Sequence, residues 1–327
     1  MPSVRIGVLG AARITPAALL RPARSVVDAE VAAVAARDPA RARAFAARHG
    51  IPIVHEDYAA VVADPAIDAV YNPLPNGLHA RWTLAALEAG KHVLCEKPFT
   101  SNTGEAEQVA AVAARTGLVV MEAFHYRYHP LAARMQSIVE TGQLGTIRHV
   151  EAALCFPLPR FSDIRYSYEL GGGALMDAGC YTVHMVRLLG GEEPTVVSAR
   201  AKLRSPDVDR AMTADLRFPS GHSAKITCSL WSSSLLRASV TVTGDTGRLR
   251  VLNPLAPQLL HRLTVRAGGR RVVERLPRRP TYDYQLEAFC AAVRHGEPVL
   301  TGPADSVANM RVIDAVYAAA GMKPRGS

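Results

Sequence analysis

From residue 4 to residue 124 the hydrophobic positions fall in short unbroken runs, VRIGVLG, EVAAVAAR, DAVYNPL, HVLCEKP and LVVMEAF, separated by alanine-rich stretches. Strands buried on both faces read as such runs, and amphipathic helices connect them, so this part predicts βαβ units and a doubly wound parallel sheet. The stretch DPARARAFAARHG has the grammar of a helix, with Asp38 as N-cap, Pro39 at the first helical position and Gly50 past the end. NGLHARWTLAALEAG repeats it, with Asn76 as the expected cap and Gly90 as the stop.

The rhythm changes after residue 125. A helix over HPLAARMQSIVETGQLG leads into TIRHVEAALCF, an irregular loop, and one long helix from about 172 to 189. Then PTVVSARAKL, RAMTADLRF, SAKITCSLW, RASVTVTG and GRLRVL succeed one another across short turns, which predicts a large, mostly antiparallel open sheet. Two helices close the chain. The expected division is residues 1–124 as a dinucleotide-binding domain and 125–327 as a substrate-binding and oligomerisation domain, the final helix packing back on the first.

Composition agrees with an ordinary globular chain, 49% hydrophobic and 20% charged over 327 residues. No run approaches the ~20 apolar residues that span a bilayer, and the N-terminus enters a strand without leader-like features, so the expectation is cytoplasmic, with no membrane partner. The net charge of +9 is read as a solvated basic surface, the arginines being spread without a basic run or interleaved aromatics; no nucleic-acid partner is expected. The five cysteines, far apart and without a C-x-x-C pair, read as buried free thiols.

Chemistry gathers first at GVLGAAR, where Gly7, Gly10, Ala12 and Arg13 accompany the end of a strand. Small residues there let the backbone turn and approach a pyrophosphate at a helix N-terminus. At the end of the second strand an NAD site carries an acid for the ribose hydroxyl, whereas here Ala36 takes that place and Arg37 comes next. NADP(H) is therefore expected over NAD(H), which stays possible; the competing reading makes Arg37 a solvated helix-entry residue and Asp38 a cap. In CEKP, Glu96 and Lys97 end a buried strand, where α/β sheets place ligands. Further on, Asp177, Tyr181 and His184 stand four and three apart, one face of a helix that is otherwise apolar.

The blocks GVLGAAR, YNPLPNGLH, AGKHVLCEKP, MEAFHYRYHP and GGGALMDAGCYTVH together resemble the glucose–fructose oxidoreductase and inositol dehydrogenase family (Gfo/Idh/MocA). VAAVAARDPARARAFAARHGIP and MDAGCY are most similar to its branch of dimeric dihydrodiol dehydrogenases and sugar ketoreductases. The resemblance implies a Rossmann domain followed by an open-sheet domain that makes a homodimer or higher homo-oligomer. It implies that the Lys97 amine stands beside the nicotinamide, that the Lys97–Pro98 bond is cis, and that Tyr181 replaces the histidine of inositol dehydrogenases as proton donor. Pro73 and Asn76 would run along the cofactor, while His125 and Arg148 match positions near the substrate. His79 is left open, as are the choice of Lys97 or Tyr181 as proximal acid, His184 as contact or core residue, and Glu96 as backbone brace or nicotinamide neighbour. His125 and His129, four apart, lack a third ligand, and no metal is expected.

Three functions are open to test: an NADP-preferring oxidoreductase interconverting a secondary alcohol and ketone on a sugar, cyclic polyol or related diol; a non-catalytic NAD(P)-binding sensor or co-regulator; and a cofactor-assisted glycoside hydrolase. Catalysis by Lys97, Tyr181 and Asp177 is the expectation, since an alcohol must release its proton to a positioned group as hydride leaves.

Overall fold

In the computed structural model, which describes residues 3–326, the apolar runs of the first half become six strands. These are β1 Val4–Leu9, β2 Ala29–Ala35, β3 Ile53–Val54, β4 Ala69–Asn72, β5 His92–Cys95 and β6 Val120–Glu122. All pair in parallel, in the order β3-β2-β1-β4-β5-β6. The order reverses between β1 and β4, so the ligand crevice of this sheet lies at the carboxyl ends of those strands. The helices are α1 Pro39–His49, α2 Tyr58–Ala63, α3 His79–Glu88 and α4 Thr103–Thr116. Asp38 caps α1 and Gly50, at φ 72°, ends it, as its residue grammar predicts. Asn76 is not a cap: it opens a 3-10 turn, Asn76–Leu78, and α3 begins at His79 without a side-chain cap. Pro75 sets this entry, since its fixed φ serves a turn better than an Asn cap one residue on.

The second sheet has eight strands: β7 Ile147–Cys155, β8 Thr195–Ser205, β9 Val208–Arg217, β10 Ser223–Ser229, β11 Arg237–Gly244, β12 Gly247–Leu252, β13 Arg262–Ala267 and β14 Arg270–Glu274. Their order is β14-β13-β12-β11-β7-β10-β9-β8, antiparallel throughout except for β7 against β10. Helix α5, Pro130–Glu140, precedes β7, and α6, Cys180–Gly190, packs on β7 and β10, strands whose Val150, Ala152, Ile226 and Cys228 are buried. The long helix expected over 172–189 is two pieces, because a π-helical turn, Leu175–Gly179, precedes α6. Gly179 has a packing reason: a Cβ there would stand 2.6 Å from Leu175 Cδ1 and 2.9 Å from Cys228 Sγ of the sheet beneath.

The chain ends in α7, Thr281–His295, and α8, Pro303–Ala319. Two compact units result, one of residues up to Tyr128 with Tyr282–Val307, the other of His129–Thr281 with Ala308 onward. The segment that rejoins the first unit thus carries nearly all of α7 and the start of α8, so it is not the last helix alone. All five cysteines are buried free thiols. Among the described residues no helix is long and apolar enough to cross a membrane.

The basic surface is solvated, but its arginines are less evenly spread than expected. Between Gly247 and Arg279 nine arginines face the single Glu274. The register sets Arg248 opposite Arg266, and Arg266 opposite Arg271, on one exposed edge of the second sheet. With Arg270 they line an open hollow of about 610 Å³. The one-dimensional spacing hides this basic strip, because the arginines alternate with apolar residues and only the strand register brings them side by side.

Candidate active site

The fingerprint turn divides its labour. Gly7 lies within β1, and a Cβ there would come 2.5 Å from Val61 Cγ1 on α2, so this glycine serves helix-on-sheet packing. Gly10 makes the turn, at φ 97°, with its N–H donating to the Ala35 carbonyl at 2.6 Å. Ala12 is half-buried and Arg13 exposed. The chain then enters a five-residue π turn, Pro16–Leu20, instead of a long helix, so little macrodipole adds to the free N–H groups of the turn. Ala36, just after β2, is buried and without charge, and Arg37 is exposed. The Asp38 carboxylate accepts from the N–H groups of Ala40 at 2.9 Å and Arg41 at 3.4 Å, which occupies it as a cap. Arg41, which sequence reasoning passed over, donates its guanidinium to the Ala11 carbonyl at 2.9 Å. Cations on both sides of α1's entry and an acid turned to capping are the donor set that suits a 2′-phosphate.

At the carboxyl ends of β4 and β5 the buried side chains form a bonded framework. Asn72 donates to the His79 carbonyl at 3.1 Å and to Thr83 Oγ1 at 3.2 Å, holding the β4 exit where Pro73 is buried. The His79 ring is fully buried between two carbonyls, Pro98 at 2.8 Å from Nδ1 and Leu74 at 2.7 Å from Nε2. Burial lowers its pKa to about 4, against the pull of both carbonyls, and the charge of Lys97 adds to the fall. Glu96 is buried, and its Oε1 accepts from the Tyr71 hydroxyl at 2.8 Å, so its carboxylate braces the strand interior. Burial and that carboxylate push the Tyr71 phenol well up. Glu122, at the end of β6, accepts from the Phe99 N–H at 2.9 Å, fixing the loop after the cis Lys97–Pro98 bond. Lys97 is half-buried. His125, buried in the 3-10 turn His125–Tyr128, lies 4.2 Å from the Tyr282 ring. Burial, with Lys97 contributing, lowers its pKa to about 3. Both histidines that feel the Lys97 charge are therefore neutral at pH 7.

In the second unit the loop over 160–173 supplies a residue that the sequence showed only as part of a polar stretch. Arg165 Nε stands 3.0 Å from Asp177 Oδ2, and its Nη1 stands 3.1 Å from Asp163 Oδ1. Asp177 above all, then Asp163, hold this guanidinium charged against partial burial. Tyr181 and His184 are buried on regular α6, whereas Asp177 lies in the π turn. The uniform α-helical face drawn through all three holds for Tyr181 and His184 only, because a π turn takes more than 3.6 residues per revolution. One turn on, Arg187 makes a bidentate pair with Glu193, 2.7 Å on each arm. Arg148 is exposed and pairs with Asp245 at 3.5 Å, a tie to the turn between β11 and β12. His129 accepts from the Leu131 N–H at 3.0 Å as the cap of α5 and faces the Pro277 carbonyl at 3.0 Å, both of its ring nitrogens in structural use.

Comparison with known proteins extends this geometry. The chain is 39% identical over 318 residues to D-xylose 1-dehydrogenase (NADP(+)) 2 of Haloferax volcanii, covering 96% of each. It is 34% identical over 226 residues to the trans-1,2-dihydrobenzene-1,2-diol dehydrogenase of Bos taurus, covering 69% of this chain and 67% of that protein. Its fold matches the crystal structure of KijD10, a 3-ketoreductase from Actinomadura kijaniata in complex with NADP and TDP-benzene, with a TM-score of 0.90 at 32% identity over 97% and 98% of the two chains. Residues 4–124 match the Gfo/Idh/MocA oxidoreductase family model with its NAD-binding Rossmann fold, and 132–250 match that family's C-terminal domain. With both sheets in place and both halves matched, the chain belongs to the Gfo/Idh/MocA family of oxidoreductases.

Proposed function

We propose that this oxidoreductase prefers NADP(H) and interconverts an alcohol and a carbonyl on a free sugar or polyol, with Lys97 and Tyr181 handling the proton. The observation that carries the reading is the half-buried Lys97 at the carboxyl end of β5, braced through Glu96 and Tyr71 and accompanied by neutral His79 and His125. When bound, the nicotinamide exchanges hydride with the substrate carbon. The chain's own part is the proton. In oxidation a hydroxyl O–H bond breaks and its proton passes to a basic side chain; in reduction the alkoxide oxygen takes a proton back. Lys97 and Tyr181 are the groups assigned to that transfer. Asp177, held by Arg165, accepts from a neighbouring substrate hydroxyl and so orients the ring. Arg37 and Arg41 meet the 2′-phosphate, in place of the acid that would meet a free ribose hydroxyl.

The similarity to a xylose dehydrogenase makes aldopentoses the first substrates to screen. The free thiols suit a reducing cytoplasm, and a homo-oligomer is the expected assembly. The test is a pair of fluorescence titrations with NADPH and NADH on the purified protein and on Arg37→Ala, followed by turnover of aldoses and polyols with Lys97→Met as control. Tight NADPH binding weakened by Arg37→Ala, and turnover lost in Lys97→Met with binding kept, is the expected result. Binding without turnover of any alcohol by the native chain would point to a cofactor sensor. Sugar release without net change in nicotinamide absorbance would point to glycoside hydrolysis.

A further inference from the structure

A fully buried ionic knot lies in the second unit, made of residues to which neither the proton nor the cofactor was assigned above. Arg325, Asp209 and Tyr317 are each 0% exposed. Arg325 Nη2 stands 3.0 Å from Asp209 Oδ1, the Tyr317 hydroxyl donates to the same oxygen at 3.0 Å, and the guanidinium lies 4.2 Å over the Tyr317 ring. Burying an arginine and an aspartate is a weak route to stability, since apolar residues of similar volume do as well. The partners outside the knot show where it acts.

Asp209 Oδ2 accepts from the Leu175 N–H at 2.7 Å, which fixes the first residue of the π turn two places before Asp177. Arg325 Nε donates to the Gly172 carbonyl at 2.6 Å, and Tyr168 returns a hydroxyl bond to the Pro324 carbonyl at 3.0 Å. The next residue, Gly173, donates its N–H to the Arg165 carbonyl at 2.8 Å. Glycine is required at this turn. Gly173 has φ 138°, and a Cβ on it would strike Asp209, while one on Gly172 would come 2.6 Å from the Ser167 carbonyl oxygen. The backbone of Arg165 and the backbone leading to Asp177, the two halves of one ion pair, are thus both tied to the same buried centre.

We propose that Arg325 and Asp209 are positioning residues, which set the Arg165–Asp177 pair in the geometry that receives the substrate. The inference rests on reading Asp177 as a substrate-orienting group. It assigns a catalytic consequence to a residue near the end of the sequence, in α8's trailing segment, that touches neither substrate nor cofactor.

The test uses the full chain with three substitutions: Arg325→Lys, Arg325→Met, and the double variant Arg325→Met with Asp209→Asn, which removes both buried charges and keeps an acceptor for Leu175. Two readouts are taken. Amide hydrogen exchange over 165–177 is expected to quicken by at least about tenfold in the variants while β11 to β13 keep their protection. With sugar and NADP, kcat is expected to fall at least about tenfold with a raised sugar KM, while the NADPH dissociation constant stays at the native value. A merely structural role would leave that split unmoved in a variant shown to be folded. Native exchange over 165–177, or native kcat and sugar KM in the folded double variant, overturns the proposal. Should the charge-neutral variant not fold, Arg325→Lys carries the same two readouts with the cation kept. If the native protein turns over no sugar, the dehydrogenase reading falls, whereas unchanged or quickened exchange still decides whether the knot orders this segment.

Discussion

Acidification should destabilise the first unit through His79, and the size of the effect can be worked from its surroundings. The ring is fully buried with a carbonyl oxygen at each nitrogen, 2.8 Å and 2.7 Å away. A neutral imidazole has one N–H, so it bonds one of these carbonyls and turns a lone pair to the other. Protonation would satisfy both, but it would place a cation in an apolar interior near the Lys97 charge, and burial wins, with a pKa of about 4 against 6.5 in the open chain. The folded pKa is the lower one, so the unfolded chain binds the extra proton. Stability from this group is complete above pH 6.5 and is lost as pH falls toward 4. The full difference corresponds to ~3 kcal/mol, most of it gone by about pH 4.5. His125, lowered for the same reason, adds its own loss, so the native protein must be compared with His79→Gln, whose amide bonds one carbonyl and does not titrate. Urea denaturation at about pH 7.5, 6 and 4.5, read by Trp82 fluorescence in a Trp231→Phe background, reports the unit that holds α3. The native chain should lose about 2 to 3 kcal/mol more than His79→Gln over that range. Equal losses would refute the buried neutral ring. A native chain that gains on the variant in acid would show an imidazolium held between the two carbonyls.

Two other contacts give sharp outcomes. Arg41→Ala should weaken NADPH about tenfold, equal to ~1.4 kcal/mol, and leave NADH within about twofold in the same titration, because in the proposed site this cation meets the 2′-phosphate, which NADH lacks; an equal loss for both cofactors would show that its bond to the Ala11 carbonyl matters instead. Arg266→Thr should raise stability by about 0.5 to 1 kcal/mol in thermal unfolding at low salt, since Arg266 stands between Arg248 and Arg271; the gain should vanish in about 1 M NaCl, and a destabilised variant would reject the repulsion.

Residue order reveals what local physics decides. The parallel sheet is legible in uninterrupted apolar runs, and α1 in Asp38, Pro39 and Gly50, each acting within a few residues of its own position. Lys97 is legible because its strand and its CEKP neighbours are contiguous. The features hidden from the sequence depend on distant chain segments. Tyr71 bonds Glu96 across neighbouring strands, and Arg165 reaches Asp177 from a loop without periodicity. The π turn escapes notice because LMDAG has no residue that forbids an α-helix, and the close approach of Gly179 to Cys228 involves a strand some fifty residues away. Strands β13 and β14 are hidden because RLTVRA and RRVVE mix arginine with short apolar residues, which resembles a solvated surface until a neighbouring strand supplies the register.

The arginine strip changes what the bulk electrical description of this protein means. The surplus positive charge between Gly247 and Arg279 accounts for nearly all of the formal +9, leaving the rest of the chain close to neutrality. An isoelectric point near 9.6 therefore owes most to one stretch of chain, β12 to β14 and the segment that follows them. The molecule is electrically lopsided: on a cation exchanger it should adsorb in one orientation, edge first, and its retention should track substitutions on β12 to β14 while ignoring equal changes of charge elsewhere.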